Sequence, residues 1–564
     1  MILAPTPRKI RPLSGTCSTT DAEPVVTISR ATGHAQGSLL RVQSDAVTII
    51  GDDPAGAFYG RQTLKQLSRQ FPQGIPCMEI EDWPDFPARG YMQDISRDKV
   101  PTMPTLFALI DQLAELKYNQ LQLYTEHTFA YAGHEEVWRE ASPITAQEIR
   151  ALDQYCKERF IELVPNQNSF GHLERWFKHK KYEPLAETVD EFAFPWGTKH
   201  VGGFSLNPTD PKSLEFLDDL FDQLLPNFSS RMFNVGCDET HDVGQGKSKE
   251  EVAKRGKERV YLDFLLKVYQ RVKARGHVMQ FWGDIILKNP ELIPELPKDL
   301  IALNWAYDWD HPFEKETKAF HDANVPFYVC PGTSSWLSIS GRTDNAIANL
   351  HSAAKWGLAN GAIGYLNTDW GDLGHLQYLP ISYLPIVAGA AYAWCLESNR
   401  AIDLPAALDI HVLRDRRGIM GKLLFDLGNV YQAVKTPMGN SSRLFWILAG
   451  DETRKKLYEM ITPAEFDDAE SRINAAMVGL GRAEMDRPDA QVIRGEIANA
   501  AAMLRHACHR GRWKLGAENV APADLAEELE VIISEHGRLW LERNRPGGLN
   551  DSARRLEDRL ADYQ

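Results

Sequence analysis

Between residues 91 and 366 the chain alternates short apolar runs of β type with amphipathic helical stretches, and this alternation constrains the fold more than any other feature. The runs fall at 91–95, 121–124, 161–164, 232–235, 278–282, 301–305, 327–329 and 363–366, eight in all. Parallel strands joined by crossover helices produce this pattern. The helices between them are legible too. Leu106, Leu109, Ile110, Leu113 and Leu116 make one apolar stripe, and Thr145 with Glu148 forms a capping-box start for the next helix. Eight strands over about 300 residues suit a closed (β/α)8 TIM barrel better than an open sheet.

The flanks read differently. Residues 1–84 carry β-type runs at 23–29, 39–42 and 46–51, then a helical pattern over 54–70 with Ala57, Phe58, Thr63, Leu64 and Leu67 along one side. That predicts a small N-terminal α/β domain. The turn-rich stretch 81–90 (EDWPDFPARG) reads as its connection to the barrel, which is expected over 85–396. Beyond 396 no strand run occurs, and long amphipathic patterns such as 452–461, 490–512 and 523–543 predict an α-helical C-terminal domain over 397–564. The Gly/Pro-rich stretch 543–552 (RNRPGGLNDS) reads either as a surface loop or as a segment reaching toward an active site.

Composition removes several function classes. A net charge of -14 without a Lys/Arg run argues against nucleic acid as a partner. The seven cysteines are odd in number, scattered and without a CxxC pair, so neither a disulfide framework nor a zinc site is expected. His172, His241 and His375 lack metal-ligand spacing, and no cofactor is called for. The first fifteen residues hold no apolar stretch suited to a signal peptide, which makes a cytoplasmic location the expectation. The longest apolar stretch, 383–396, is too short to span a bilayer, so no membrane partner is expected. The helical C-terminal region offers faces that a homodimer could share, and the oligomeric state stays open.

In a TIM barrel the active site lies at the C-terminal ends of the strands, so polar residues just after each run are the candidates. These include Asn166, Asn168 and His172 after the third run, Asp238, Glu239 and His241 after the fourth, and Asp284 after the fifth. Tyr307 and Asp308 follow the sixth, and Trp370, Asp372 and His375 the eighth. Acids and tryptophans (Trp282, Trp305, Trp336, Trp370) converging on one mouth suit a sugar, whose apolar ring faces pack on aromatics while its hydroxyls donate to carboxylates. Each tryptophan taken alone reads equally well as core. The adjacent pair Asp238-Glu239 carries more, because neighbouring carboxylates raise each other's proton affinity and one can then serve as a general acid.

These residues resemble glycoside hydrolase family 20, the β-N-acetylhexosaminidases. FNVGCDET (233–240) is similar to the family's strand-four signature ending G-G-D-E, with Cys237 in place of the second glycine. RGYMQDISR (89–97) resembles the family's first-strand R-G-x-x-x-D-x-S-R, and VPNQNSFGH (164–172) its third-strand motif ending in G-H. WGD at 282–284 and WGD at 370–372 resemble its W-x-D and W-G-E motifs. The helical C-terminal extension is similar to that of a bacterial subgroup of exo-β-N-acetylglucosaminidases.

The resemblance implies an exo-acting, retaining hydrolase of terminal non-reducing β-linked N-acetylhexosamine, GlcNAc in preference to GalNAc, with a glycan or glycoconjugate as partner. Catalysis would be substrate-assisted, the 2-acetamido carbonyl attacking C1 to give an oxazolinium ion. Glu239 would be acid and then base, and Asp238 would orient the acetamido group. Arg89 would bind ring hydroxyls and His172 would support the acid/base region. Asp284 would join the acetamido network, Trp305, Trp336 and Trp370 would wall the pocket, and Asp372 would accept from a C4 or C6 hydroxyl. Glu126 stands where the family has Asp. The family's acetamido-binding tyrosine after strand seven has no counterpart in 331–345, leaving Asn345 or Tyr307 as substitutes. Two other readings compete: a retaining glycosidase for a different sugar, and a non-catalytic glycan-binding protein on a degenerate barrel.

Overall fold

The computed structural model describes residues 1–18, 23–436, 438–450 and 457–563. Five strands, β1 (Lys9–Cys17), β2 (Val25–Ile28), β3 (Ser38–Val42), β4 (Val47–Gly51) and β5 (Ile75–Asp82), form the first sheet in the order β1-β5-β3-β4-β2. Helix Pro54–Gln70 closes over it, started by an Asp53 side chain that accepts from Gly56 N and by a proline in the first turn. Leu40, Val42, Ile49, Leu67 and Ile80 form the core beneath it. Two of these strands were not expected. In β1 (KIRPLSGTC) all but one residue is exposed or half-buried, so there is no apolar alternation to read. Strand β5 runs to Asp82 and the next strand starts at Ala88, which shortens the expected connection 81–90 to residues 83–87.

All eight strands expected of the barrel are present: β6 (Ala88–Asp94), β7 (Gln120–Tyr124), β8 (Glu162–Val164) and then, after a small antiparallel hairpin of β9 (Glu191–Ala193) and β10 (Lys199–Val201), β11 (Met232–Asn234), β12 (Val278–Trp282), β13 (Ile301–Trp305), β14 (Phe327–Cys330) and β15 (Gly364–Asp369). They pair in parallel in the order β11-β12-β13-β14-β15-β6-β7-β8. A parallel bridge between Asn166 and Asn234 joins the two ends, with Gln167 N donating to Asn234 O at 3.0 Å, so the sheet closes into a TIM barrel. The expected capping box is formed: Thr145 and Glu148 start helix Ala146–Lys157 reciprocally.

The apolar stretch near residue 390 is helix Leu379–Trp394, buried along its whole length between barrel and C-terminal helices. Among the described residues no helix is long and apolar enough to cross a membrane. Helices Pro463–Met477, Ala490–Lys514, Pro522–Arg543 and Leu549–Leu560 follow. Of the helix expected over 452–461, residues 452–456 lie outside the described residues and 457–460 form a turn.

The stretch 543–552 is no free loop. Arg545 donates to Glu148 Oε1 at 2.9 Å and Pro143 O at 2.8 Å, and Gly547 N donates to Ser142 Oγ at 3.0 Å. Asp551 pairs at 2.7 Å with Arg175, which also holds Asp98 at 2.5 Å, and Ser552 Oγ donates to Gly374 O. The segment therefore ties down the loops that follow β6, β7, β8 and β15, on the face where a barrel of this kind carries its chemistry.

Candidate active site

The backbone turns sharply after β11. Gly236 (φ 66°) and Cys237 (φ 69°) both adopt left-handed conformations, as does Glu239 (φ 48°). At 236 only glycine fits, because a Cβ there would lie 2.0 Å from Asn168 Oδ1. Cys237 takes a conformation that glycine holds more easily, with its thiol buried and Tyr261 OH donating to its carbonyl at 2.9 Å. Backbone strain of this kind concentrates at functional sites. Here it aims two successive side chains, Asp238 and Glu239, at one cleft.

His172 Nε2 lies 3.3 Å from Asp238 Oδ2 and 3.4 Å from Glu239 Oε2, and so bridges the two acids. Burial opposes a charge on His172, as does the guanidinium of Arg97, but the two carboxylates outweigh both and hold the imidazole well above its ordinary range. Burial would push Glu239 upward; the hydrogen-bonding and charge of His172 and His241 overcome it and hold this carboxyl well below the usual range. This corrects the expectation that the paired acids raise each other. Asp284, beside the pair, is raised by burial and by the charges of Asp238 and Glu239. Asp284 Oδ2 accepts from Glu239 N at 3.4 Å.

The cleft is lined by His172, Asp238 and Glu239 with Arg97, Trp282, Trp305, Tyr307, Trp370, Asp372 and Asn440. Asp284 lies in the adjoining depression that shares Trp305, Tyr307 and Asn440. Trp282 and Trp370 meet at 5.9 Å, and Trp305 stacks on Tyr307 at 5.1 Å. Burial pushes Asp372 up to about 6, against the pull of Arg97. Asp238 Oδ1, Asp284 Oδ1, and the indole N–H groups of Trp282 and Trp305 are buried without a hydrogen-bond partner. Buried polar atoms are normally paired, so this concentration marks a place built for a polar ligand.

Arg89 does not reach this cleft. It stands at the start of β6, the opposite end of the barrel, and is fully buried. Its guanidinium donates to Lys117 O at 2.9 Å, Phe86 O at 2.8 Å and Gln36 Oε1 at 2.9 Å and lies 4.9 Å over the Trp394 ring. It joins the N-terminal domain to the barrel. The arginine in the cleft is Arg97, beyond the C-terminal end of the same strand. Asp94 Oδ2 at 3.1 Å and Glu126 Oε1 at 3.2 Å bind it, and the Tyr124 ring lies 4.5 Å away. Glu126 therefore supports Arg97 from behind rather than lining the cleft. Arg89→Met is expected to cost about 3 kcal/mol of unfolding free energy with kcat/KM of the folded protein retained. Arg97→Met is expected to cut kcat/KM roughly tenfold to a hundredfold. Chemical denaturation and steady-state kinetics on the two variants check this.

Trp336 also lies off the cleft, packed edge-on behind Tyr307 at 4.9 Å. Of the two substitutes for the missing tyrosine, only Tyr307 faces the cleft, its hydroxyl accepting from Trp370 Nε1 at 2.7 Å. Asn345 is spent on Tyr307 O and Ser334 Oγ at 2.7 and 2.9 Å. Asn440 was not foreseen. It comes from the C-terminal helical region, its N–H donating to Asp308 Oδ1 at 3.2 Å, and no local motif announces it.

Comparison with known proteins bears on the family and the fold. The model described as "Glycosyl hydrolase family 20, catalytic domain" matches residues 86–360, and that of the same family's domain 2 matches residues 19–83. A beta-hexosaminidase of Akkermansia muciniphila is 27% identical over 276 residues, 43% of this chain and 54% of that protein. Hexosaminidase D of Bos taurus is 25% identical over 224 residues, 38% of this chain and 60% of that one. The chain thus spans about half the length of the curated relatives it matches. A Flavobacterium johnsoniae chitobiase superposes over 99% of both chains with a TM-score of 0.59 at 16% identity. A Vibrio harveyi exo beta-N-acetylglucosaminidase in complex with N-acetylglucosamine covers 72% of this chain and 77% of its own, with a TM-score of 0.57 at 17% identity. At such identities the structures speak for the fold alone.

Proposed function

We propose that this chain, which belongs to glycosyl hydrolase family 20, is an exo-acting β-N-acetylhexosaminidase that releases terminal non-reducing β-linked N-acetylhexosamine, GlcNAc before GalNAc, from glycans. The observation that carries the reading is the unit Asp238–His172–Glu239 at the mouth of the barrel, with an aromatic wall beside it. Asp238 is the deeper of the two acids, its side chain 10% exposed, and Glu239 the outer, 35% exposed. A sugar seated against the tryptophans would place its 2-acetamido group by Asp238 and its glycosidic oxygen by Glu239.

The reaction then needs no nucleophile from the protein. The acetamido carbonyl oxygen attacks C1 and the bond to the leaving oxygen breaks as Glu239 delivers a proton to it. Asp238 stabilises the positive oxazolinium ion so formed. Glu239, now a carboxylate, takes a proton from water as the water attacks C1 and reopens the ring, so the β configuration is retained. Glu239 rests as a carboxylate, so the proton it delivers is passed to it by His172, whose Nε2 stands 3.4 Å from its Oε2. Tyr307, through a hydroxyl already oriented by Trp370, fills the place of the acetamido-binding tyrosine, and Arg97 and Asp372 receive the ring hydroxyls.

An aryl N-acetyl-β-glucosaminide tests the reading. Release of the aryl alcohol is expected, together with faster turnover of the gluco than of the galacto epimer. Folded protein that releases none from either epimer would remove the proposal.

A further inference from the structure

The hairpin β9–β10 carries an exposed aromatic surface that the mechanism above does not use. Its tip, FPWGT, is a tight three-residue loop: Phe194 N donates to Thr198 O at 2.8 Å and Gly197 N to Phe194 O at 2.9 Å. Pro195 fits the second position of such a turn, and Gly197 (φ 90°) takes the left-handed position that follows. Trp196 is thereby held at the tip, 62% exposed, stacked on Phe194 at 4.6 Å with only 7° between the rings.

Its position is informative. Both Trp196 and Phe194 meet His241 edge-on, at 5.3 and 5.5 Å, and His241 Nε2 is 3.9 Å from Glu239 Oε1. That Nε2 is buried and faces the acid. The hairpin is fixed to this histidine: Gln245 Nε2 donates to both Ala193 O and His241 O at 3.0 Å, and Ala193 N donates back to Gln245 Oε1 at 3.1 Å. The aromatic surface thus reaches Glu239 through His241.

Resting on the reading that Glu239 protonates the leaving oxygen, we infer that Trp196, backed by Phe194, is the platform on which the leaving group stacks, and that this group is a pyranose ring. Since Asp238 is deep and Glu239 outward, whatever is attached to the protonated oxygen must leave past the outer acid, which His241 joins to Trp196. Aromatic faces receive the apolar face of a sugar ring. The substrate is therefore an oligosaccharide or glycan rather than a simple alkyl glycoside.

Two substrates separate the possibilities: a β-linked disaccharide of N-acetylglucosamine and methyl N-acetyl-β-glucosaminide, which lacks the second ring. Trp196→Ala is expected to lower the ratio of kcat/KM for disaccharide over methyl glycoside about tenfold, with Trp196→Phe restoring most of it. Trp309, equally exposed at 64% but on the loop after β13, is the control, and Trp309→Ala should leave the ratio alone. An unaltered ratio in Trp196→Ala, or an equal fall in Trp309→Ala, overturns the inference. Calorimetry in a Glu239→Gln background decides the matter even if no turnover is found: the Kd of the disaccharide should rise about tenfold on Trp196→Ala, and an unchanged Kd overturns the platform. Absent hydrolysis of both substrates by the unaltered protein would instead count against the activity proposed above.

Discussion

Glu239→Gln is expected to lower kcat on a β-linked disaccharide by about a thousandfold, in the range where a positioned general acid contributes. Glutamine keeps the shape and the backbone turn but cannot give up a proton to the leaving oxygen. The loss should shrink as the leaving group improves, since an activated phenol departs with little help. The pH profile supplies a second test. His172 keeps its proton above the ordinary imidazole value of about 6.5 because two carboxylates face it, so activity that draws on that proton persists through neutrality. It falls as the pH rises through the elevated value. This alkaline limb should be missing from the variant, whose residual turnover no longer uses the proton from His172. An unaltered limb with an unaltered kcat would place the acid elsewhere.

Asp238→Asn is expected to cost about a hundredfold to a thousandfold in kcat, the scale of removing one group aimed at developing charge. The sign follows from the intermediate. A carboxylate stabilises a positive oxazolinium ion, whereas the amide is neutral. The effect should be nearly independent of the leaving group, in contrast to Glu239→Gln, because the stabilised charge resides on the sugar. A thiazoline mimic of the oxazolinium should inhibit the unaltered protein and bind the variant more weakly. Equal inhibition of both would break the assignment of Asp238, and no inhibition of either would favour a retaining glycosidase that acts without an acetamido group.

The barrel was legible because parallel strands buried on both faces leave apolar runs that interrupt helical periodicity, and all eight runs became strands. Strand β1 was not, since it is exposed along most of its length and its partner β5 lies more than fifty residues away. Of the site, the rule that chemistry follows a barrel strand located Asp238, Glu239, His172, Trp370 and Asp372. The same rule applied to RGYMQDISR would have chosen Arg97, after the strand, over Arg89, before it. Motif position alone chose the other. The protonation pattern was hidden for a different reason: an adjacent pair of acids in sequence says nothing about the histidine that packs between them from sixty-six positions upstream. Asn440 could not be read at all, being placed by tertiary contact with Asp308.

The segment 543–552 has a bearing on how the protein is made. Loops after four barrel strands are held by residues translated some 170 to 450 positions later, and Asn440 also arrives after the last of those strands. A ribosome-bound chain ending shortly after β15 would own every acid of the cleft yet lack the brace around it. Competence should therefore appear late in synthesis, as a single event when the final helices dock, and a nascent or truncated barrel would be spared from acting on sugars before that moment.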